Sequence, residues 1–104
     1  MRCRSCTPIP EEVRAVADLL ERRATVSILF AAHEGAIRFN EFLQMIGRVP
    51  PATLASRLGD LERAGVLRRE VLDTRPPGVE YRLTLRGRRL GMLVAELRQF
   101  ALGE

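Results

Sequence analysis

The spacing of apolar residues changes along this chain, and that change restricts the fold more than any other feature of the sequence. Up to Leu61 the apolar residues recur at helical spacing, and Gly65 then ends the pattern. Two short runs of β type follow, at 66–72 and 78–83, on either side of a turn at 73–78. The sequence therefore predicts a mainly α fold that contains one small β-hairpin.

Five helices are predicted around this hairpin, four before it and one after it. The second, at about 24–33, is apolar on nearly every side and belongs in the middle of a core. Thr84 is a suitable N-cap for the last helix. The other helices carry apolar stripes, which are Val13, Val16 and Leu20; Phe39, Phe42 and Ile46; Leu54, Leu58 and Leu61; and Leu93, Leu97 and Phe100.

The third and fourth helices are joined by the short segment Gly47-Arg48-Val49, and Pro51 suits the first turn of the fourth. A short helix, a tight turn and a longer helix form a helix-turn-helix, and a hairpin directly after it gives the winged form. We therefore predict a single winged helix-turn-helix domain over 1–104. Its parts are an N-terminal arm at 1–9, the helix-turn-helix at 38–64, the wing at 66–84 and a C-terminal helix at 85–102.

The positive charge is concentrated in the middle of the chain. All 17 basic residues are arginine, the formal net charge is +4, and residues 37–89 hold 11 arginines against six acidic residues. Such an excess predicts a surface that faces a polyanion. The longest apolar run, Ile28 to Ala32, is too short to span a membrane, and no signal peptide is recognisable. We expect a cytoplasmic protein with no membrane partner.

The fourth helix is the predicted recognition helix. Because its leucines point inward, Thr53, Ser56, Arg57 and Asp60 should project outward, and Arg57 could hydrogen-bond two guanine acceptors. Pro51 and Ala52 could only touch thymine methyl groups or shape the helix start. Arginines around this helix could each neutralise a phosphate or be ordinary surface arginines; they are Arg38, Arg48, Arg68, Arg69, Arg75 and Arg82.

The cysteines and the single histidine give no sign of an enzyme or a metal centre. Cys3 and Cys6 form a C-x-x-C pair, but a structural zinc needs four ligands and His33 is the one other soft ligand. His33 is better explained as a cap at a helix end. Arg2 and Arg4 beside the thiols favour the reactive thiolate, although inert thiols remain the alternative. We predict no catalytic site, no metal and no cofactor.

Several stretches resemble the HxlR family of bacterial winged helix-turn-helix regulators. The resemblance rests on Arg38-Phe39-Asn40-Glu41-Phe42, on the segment 54–67, on the segment 76–87 that begins Pro-Pro-Gly-Val-Glu-Tyr, and on Cys6-Thr7-Pro8. Ala24 stands where the family has tryptophan, and Pro51 and Ala52 stand where it has polar residues. The resemblance implies a DNA-binding dimer joined through its first and last helices. In some members an N-terminal cysteine senses oxidants or electrophiles, and Cys6 matches that position.

We therefore expect a homodimeric transcriptional regulator that binds double-stranded DNA sequence-specifically, with half-site centres about 34–36 Å apart. The expected dimer residues are Val13, Val16, Leu20, Leu93, Leu97 and Phe100. Two alternatives stay open. One is a winged-helix module that binds protein instead of DNA, which the Pro-Pro-Ala helix start would suit. The other is a regulator gated by a small ligand between the dimer helices.

Overall fold

A computed structural model describes residues 5–103 of the chain. It confirms the predicted mainly α architecture with one two-stranded antiparallel hairpin. The elements in chain order are α1 (Glu11–Leu20), α2 (Thr25–His33), α3 (Phe39–Ile46), α4 (Pro51–Arg63), β1 (Leu67–Leu72), β2 (Gly78–Leu83), α5 (Leu85–Arg88) and α6 (Gly91–Leu102).

Helix α2 occupies the centre of the core, as its continuous apolar run predicts. Ile28 and Leu29 are almost completely buried, and the helix contacts α1, α3, α6 and strand β2. Phe42 of α3 and Leu54 of α4 are fully buried in the same cluster. An almost wholly apolar helix is stable only when neighbours cover most of it, and on α2 only the side that carries Val26 and Ser27 is left exposed.

The two strands of the hairpin pair with each other, and β2 also bonds to the segment just before α3. Leu67 pairs with Leu83 at one end of the ladder, and Leu72 pairs with Gly78 at the other. The backbone N–H of Tyr81 in β2 donates a hydrogen bond of 2.7 Å to the carbonyl oxygen of Ile37, just before α3. This bond fixes the wing against the helix-turn-helix.

The prediction of one continuous helix at 85–102 is wrong, because the chain bends between α5 and α6. Thr84 Oγ1 caps α5 by accepting a hydrogen bond of 3.0 Å from Gly87 N–H, and it also donates to the carbonyl of Gly65. Gly87 lies so close to the Val66 carbonyl that an added Cβ would collide with it. Since α5 is held against this backbone, the bend at Arg89 and Leu90 redirects the chain into α6.

Helices α1 and α6 lie at the periphery of the protomer. Helix α1 has no buried residue, and α6 has one, Val94. The described part of the chain measures 60 × 32 × 26 Å, with a radius of gyration of 15.7 Å. A compact domain of about 100 residues has a radius near 13 Å, so the protomer is elongated. Within residues 5–103, no helix combines the length and apolar character needed to cross a membrane.

Candidate nucleic-acid interface

Helix α4 has one buried face and one exposed face. Leu54, Leu58 and Leu61 are 0% exposed, which anchors the helix on the core. Pro51, at the first position of α4, lies with Ala52 and Ser56 on the exposed side, and Thr53 is half-buried. The exposed face therefore offers small side chains and hydroxyl groups.

Arg57 does not project from this exposed face, and the prediction of an outward guanidinium is wrong. Its Nε donates a hydrogen bond of 2.9 Å to the carbonyl oxygen of Arg23, and its side chain is only 22% exposed. Arg57 and Asp60 lie three residues apart on the side of α4 that faces the turn between α1 and α2. Arg57 thus connects α4 to that turn.

Asp60 was also expected to point outward, but its side chain is 9% exposed and holds three arginines. Its carboxylate oxygens lie 3.0 Å from Arg22 Nη1, 3.2 Å from Arg57 Nη1 and 2.8 Å from Arg63 Nη2. Burial by itself raises the pKa of Asp60, but hydrogen bonds from Arg22, Arg63 and Arg57, together with the charge of Arg22, outweigh burial and lower the pKa below its ordinary value of 3.8. Asp60 fixes the second half of α4 against the end of α1.

Two predicted phosphate ligands, Arg38 and Arg82, share one carboxylate. Glu80 of β2 is 8% exposed, and its oxygens lie 3.5 Å from Arg38 Nη2 and 2.9 Å from Arg82 Nη2. The two arginine side chains remain 51% and 46% exposed. Arg68 is likewise paired, at 2.7 Å, with Glu70. These arginines hold the wing together in addition to any contact they make outside the protein.

The other three predicted phosphate ligands are placed differently. Arg48 lies in the turn between α3 and α4, Arg69 in β1 and Arg75 in the loop of the wing, and all three are exposed. Their side chains make no ion pair or hydrogen bond with other residues in the range 5–103. The turn before α4 and the wing after it therefore each carry arginines without a carboxylate partner.

Sequence reasoning missed the carboxylates that organise this surface. Glu41 Oε1 accepts backbone hydrogen bonds of 2.9 Å from Ile37 and 2.8 Å from Arg38, which lower the pKa of Glu41 and start α3. A glutamate three residues after a helix start is a readable signal of this role. Asp60 has acidic–basic spacing of three residues to both Arg57 and Arg63, which is a second such signal.

The candidate sensor and metal-ligand residues lie elsewhere. Cys6 is exposed on the segment before α1, and Cys3 lies outside the described residues. His33 Nδ1 donates a hydrogen bond of 2.9 Å to the Leu29 carbonyl at the end of α2. Within the described part of the chain, no three His, Cys, Asp or Glu side chains are grouped to hold a metal ion.

A buried central helix, an anchored helix α4 with a free outer face, and a hairpin beside it define the winged helix-turn-helix class of transcriptional regulators. Residues 19–103 match the family described as HxlR-like helix-turn-helix. The chain belongs to this family and is a transcriptional regulator of the helix-turn-helix type.

Similar proteins and similar solved structures support the assignment to this family. The HTH-type transcriptional regulator YvaP of Bacillus subtilis is 32% identical over 84 residues, which cover 81% of this chain and 78% of YvaP. Diamide-treated YodB from B. subtilis superimposes with a TM-score of 0.77 at 28% identity, over 91% of this chain and 94% of YodB. The redox regulator HypR in its oxidized form superimposes with a TM-score of 0.81 at 29% identity, over 89% of this chain and 96% of HypR.

We expect Asp60→Asn to lower the free energy of unfolding by ~2 kcal/mol at pH 7, because three arginines lose their shared carboxylate. The lowered pKa of Asp60 means that this stabilisation is present above the ordinary value of 3.8 and is lost as the pH falls through the folded-state pKa. Urea denaturation of both proteins between pH 7 and pH 2.5 measures the difference. The exposed neighbour Glu62→Gln is the control, and a gap between wild type and Asp60→Asn that does not narrow as the pH falls below 3.8 would contradict the assignment.

Proposed function

We propose that this protein binds double-stranded DNA sequence-specifically as a homodimer in the cytoplasm, with α4 in the major groove. The observation that carries the proposal is the exposed outer face of α4 together with exposed arginines without a carboxylate partner on the elements next to it in the chain, Arg48 on the turn and Arg69 and Arg75 on the wing. A helix of this width fits the major groove, and uncompensated arginines beside it suit the two phosphate backbones. The wing then reaches the adjacent backbone or minor groove.

The short side chains of α4 would recognise the bases, because the Arg57 side chain is hydrogen-bonded to the backbone carbonyl of Arg23. Ser56 and Thr53 can exchange hydrogen bonds with base edges, and Pro51 and Ala52 can contact thymine methyl groups. None of these is a bidentate contact. Sequence preference therefore also depends on DNA shape, which arginines such as Arg75 at the wing can read in a narrow minor groove.

Homodimerisation is supported by apolar side chains that the protomer leaves uncovered. Val13 of α1 is 54% exposed, and Leu93, Leu97 and Phe100 of α6 are 52%, 41% and 88% exposed. Uncovered apolar side chains on both outer helices of an elongated molecule favour burial against a second copy related by a two-fold axis. Val16 and Leu20, the other two dimer residues predicted on α1, are half-buried and line the space between α1 and the rest of the chain.

We further propose that oxidants act on Cys6. Its exposed position beside α1 is consistent with access by a reagent, and the similar structure of YodB was determined after diamide treatment. Oxidation would join the sulfur of Cys6 to that of a second cysteine, either Cys3 or the Cys6 of a second copy, while the oxidant takes up two electrons and two protons. A new disulfide next to α1 would alter the geometry of the dimer and weaken DNA binding.

The DNA interface is tested by arginine variants against selected and random duplexes at several salt concentrations. Arg48→Ala and Arg75→Ala should each weaken both duplexes and reduce the log–log salt slope by about one unit, because one phosphate contact is lost. Ser56→Ala should weaken the selected duplex alone, by ~1 kcal/mol. Arg14→Ala, which removes the same charge from α1, is the control. No enrichment from random DNA and a flat salt dependence would favour the protein-interaction module.

The dimer is tested by Phe100→Glu, which should yield monomers because a charge replaces the most exposed aromatic side chain of α6. Phe100 is not needed for the protomer core, so the variant should keep its circular dichroism spectrum. Leu85→Glu places the same charge on an apolar side chain of α5 that is 79% exposed and should leave the dimer intact. Sedimentation velocity measures both; a dimeric Phe100→Glu protein would exclude this end of α6 from the interface.

The thiol proposal is tested by DNA titrations before and after diamide treatment. Diamide should weaken DNA binding by wild type but not by Cys6→Ser. Cys3→Ser separates the two routes, since it should abolish the response only when the disulfide forms within one chain. Non-reducing electrophoresis then shows whether two chains are linked. Equal loss of affinity in wild type and Cys6→Ser would leave Cys6 as an inert thiol.

A further inference from the structure

A cavity of about 310 Å³ lies between α1 and the rest of the protomer. Its apolar walls are formed by Val16, Leu19 and Leu20 from α1, and by Val66 and Leu90 from the opposite side. Helix α1 has no buried residue, so it rests over this space without filling it. The bend at Leu90 between α5 and α6 supplies the far wall.

Two arginines, Arg86 and Arg89, complete the lining, and no acidic residue takes part in it. Arg86 is held in place because its Nε donates a hydrogen bond of 3.0 Å to the carbonyl of Ala64, the residue that caps α4. Arg89 makes no ion pair or side-chain hydrogen bond with the rest of residues 5–103. Arg86 also lines an adjoining cleft of about 610 Å³ whose lining includes Glu12 and Asp60, whereas Arg89 does not. The cavity thus combines an apolar interior with the uncompensated positive charge of Arg89 at its edge.

We infer that this cavity binds a small aromatic carboxylate. The ring would lie between the leucines of α1 and Leu90, and the carboxylate would accept hydrogen bonds from Arg86 and Arg89. Its volume is at the lower end of the range for small-molecule sites, which are mostly apolar with a few placed polar groups. Charge-assisted hydrogen bonds to guanidinium groups would select the anion over a neutral molecule of the same shape.

A second cleft, of about 270 Å³, differs from the α1 cavity in having no charged residue to bind an anion. It is lined by Val26, Ser27, Phe30, Ala31, Met45, Ile46 and Leu97, and it has no charged group. An aromatic carboxylate would leave its charge unpaired there, whereas the cavity under α1 provides two cations. We therefore expect the carboxylate to bind more tightly in the α1 cavity than in this cleft.

A ligand in the α1 cavity would connect two parts of the molecule that otherwise touch little. Arg86 reaches the cap of α4, and the turn after α1 is joined to α4 through the ion pair between Arg22 and Asp60. Filling the cavity would fix α1, with its exposed Val13, relative to the recognition helix. This inference goes beyond DNA binding and does not depend on it.

The test is calorimetric titration of the full chain, without DNA, using 2-naphthoate and its neutral analogue 2-naphthamide. Naphthoate should bind at least tenfold more tightly than the amide. Arg89→Gln should weaken naphthoate at least tenfold and leave the amide unchanged. Arg88→Gln, on the same short helix but outside the cavity lining, should stay within twofold of wild type. Leu19→Phe, which adds bulk to an α1 wall, should also reduce binding while keeping the circular dichroism spectrum.

Three results would overturn the inference. They are no saturable binding of naphthoate at millimolar concentration, equal affinity for the acid and the amide, and equal losses in Arg89→Gln and Arg88→Gln. The first would mean that a second copy or a rearranged α1 fills the space. Because these titrations contain no DNA, their outcome is separate from that of the DNA-binding experiments.

Discussion

The burial of α2 is the constraint on which the rest of the structure depends. Ile28 and Leu29 lie on a helix that is apolar on nearly every side, and most of such a helix must be covered for it to be stable. Helix α3, helix α6 and strand β2 supply that cover, and α4 joins the same core through Leu54. Helix α4 is therefore positioned by the core, and its outer face makes no contact that the fold requires.

The order of elements could be predicted from sequence because it depends on local period, and both the hairpin and the Thr84 cap were read correctly. The bend after α5 could not be predicted, since it depends on contacts between Thr84 and Gly65, 19 residues apart. The direction of Arg57 depends on a carbonyl 34 residues away. Helical periodicity predicts which residues of a helix lie outside the core, but it does not predict which distant residue a side chain outside the core will contact.

The basic middle of the chain divides into two groups of arginines with different roles. Carboxylates on α4 and β2 hold one group: Asp60 binds Arg57, and Glu80 binds Arg82 on its own strand and Arg38 at the start of α3. The net charge counted from sequence therefore overstates the charge that is free for a polyanion. The fixed arginines determine how α4 and the wing are placed, and the remaining ones supply long-range attraction, which weakens with salt.

The scarcity of buried side chains on the outer helices has a consequence for local stability. Helix α1 has none and α6 has only Val94, so each can open without exposing much apolar surface. Helices α2 to α4 and the hairpin share one core, so we expect their amide hydrogens to exchange more slowly than those of the outer helices. We expect the amides of residues 95–102 to exchange through local unfolding of α6. A contact that covers α6 would therefore slow the exchange of these amides.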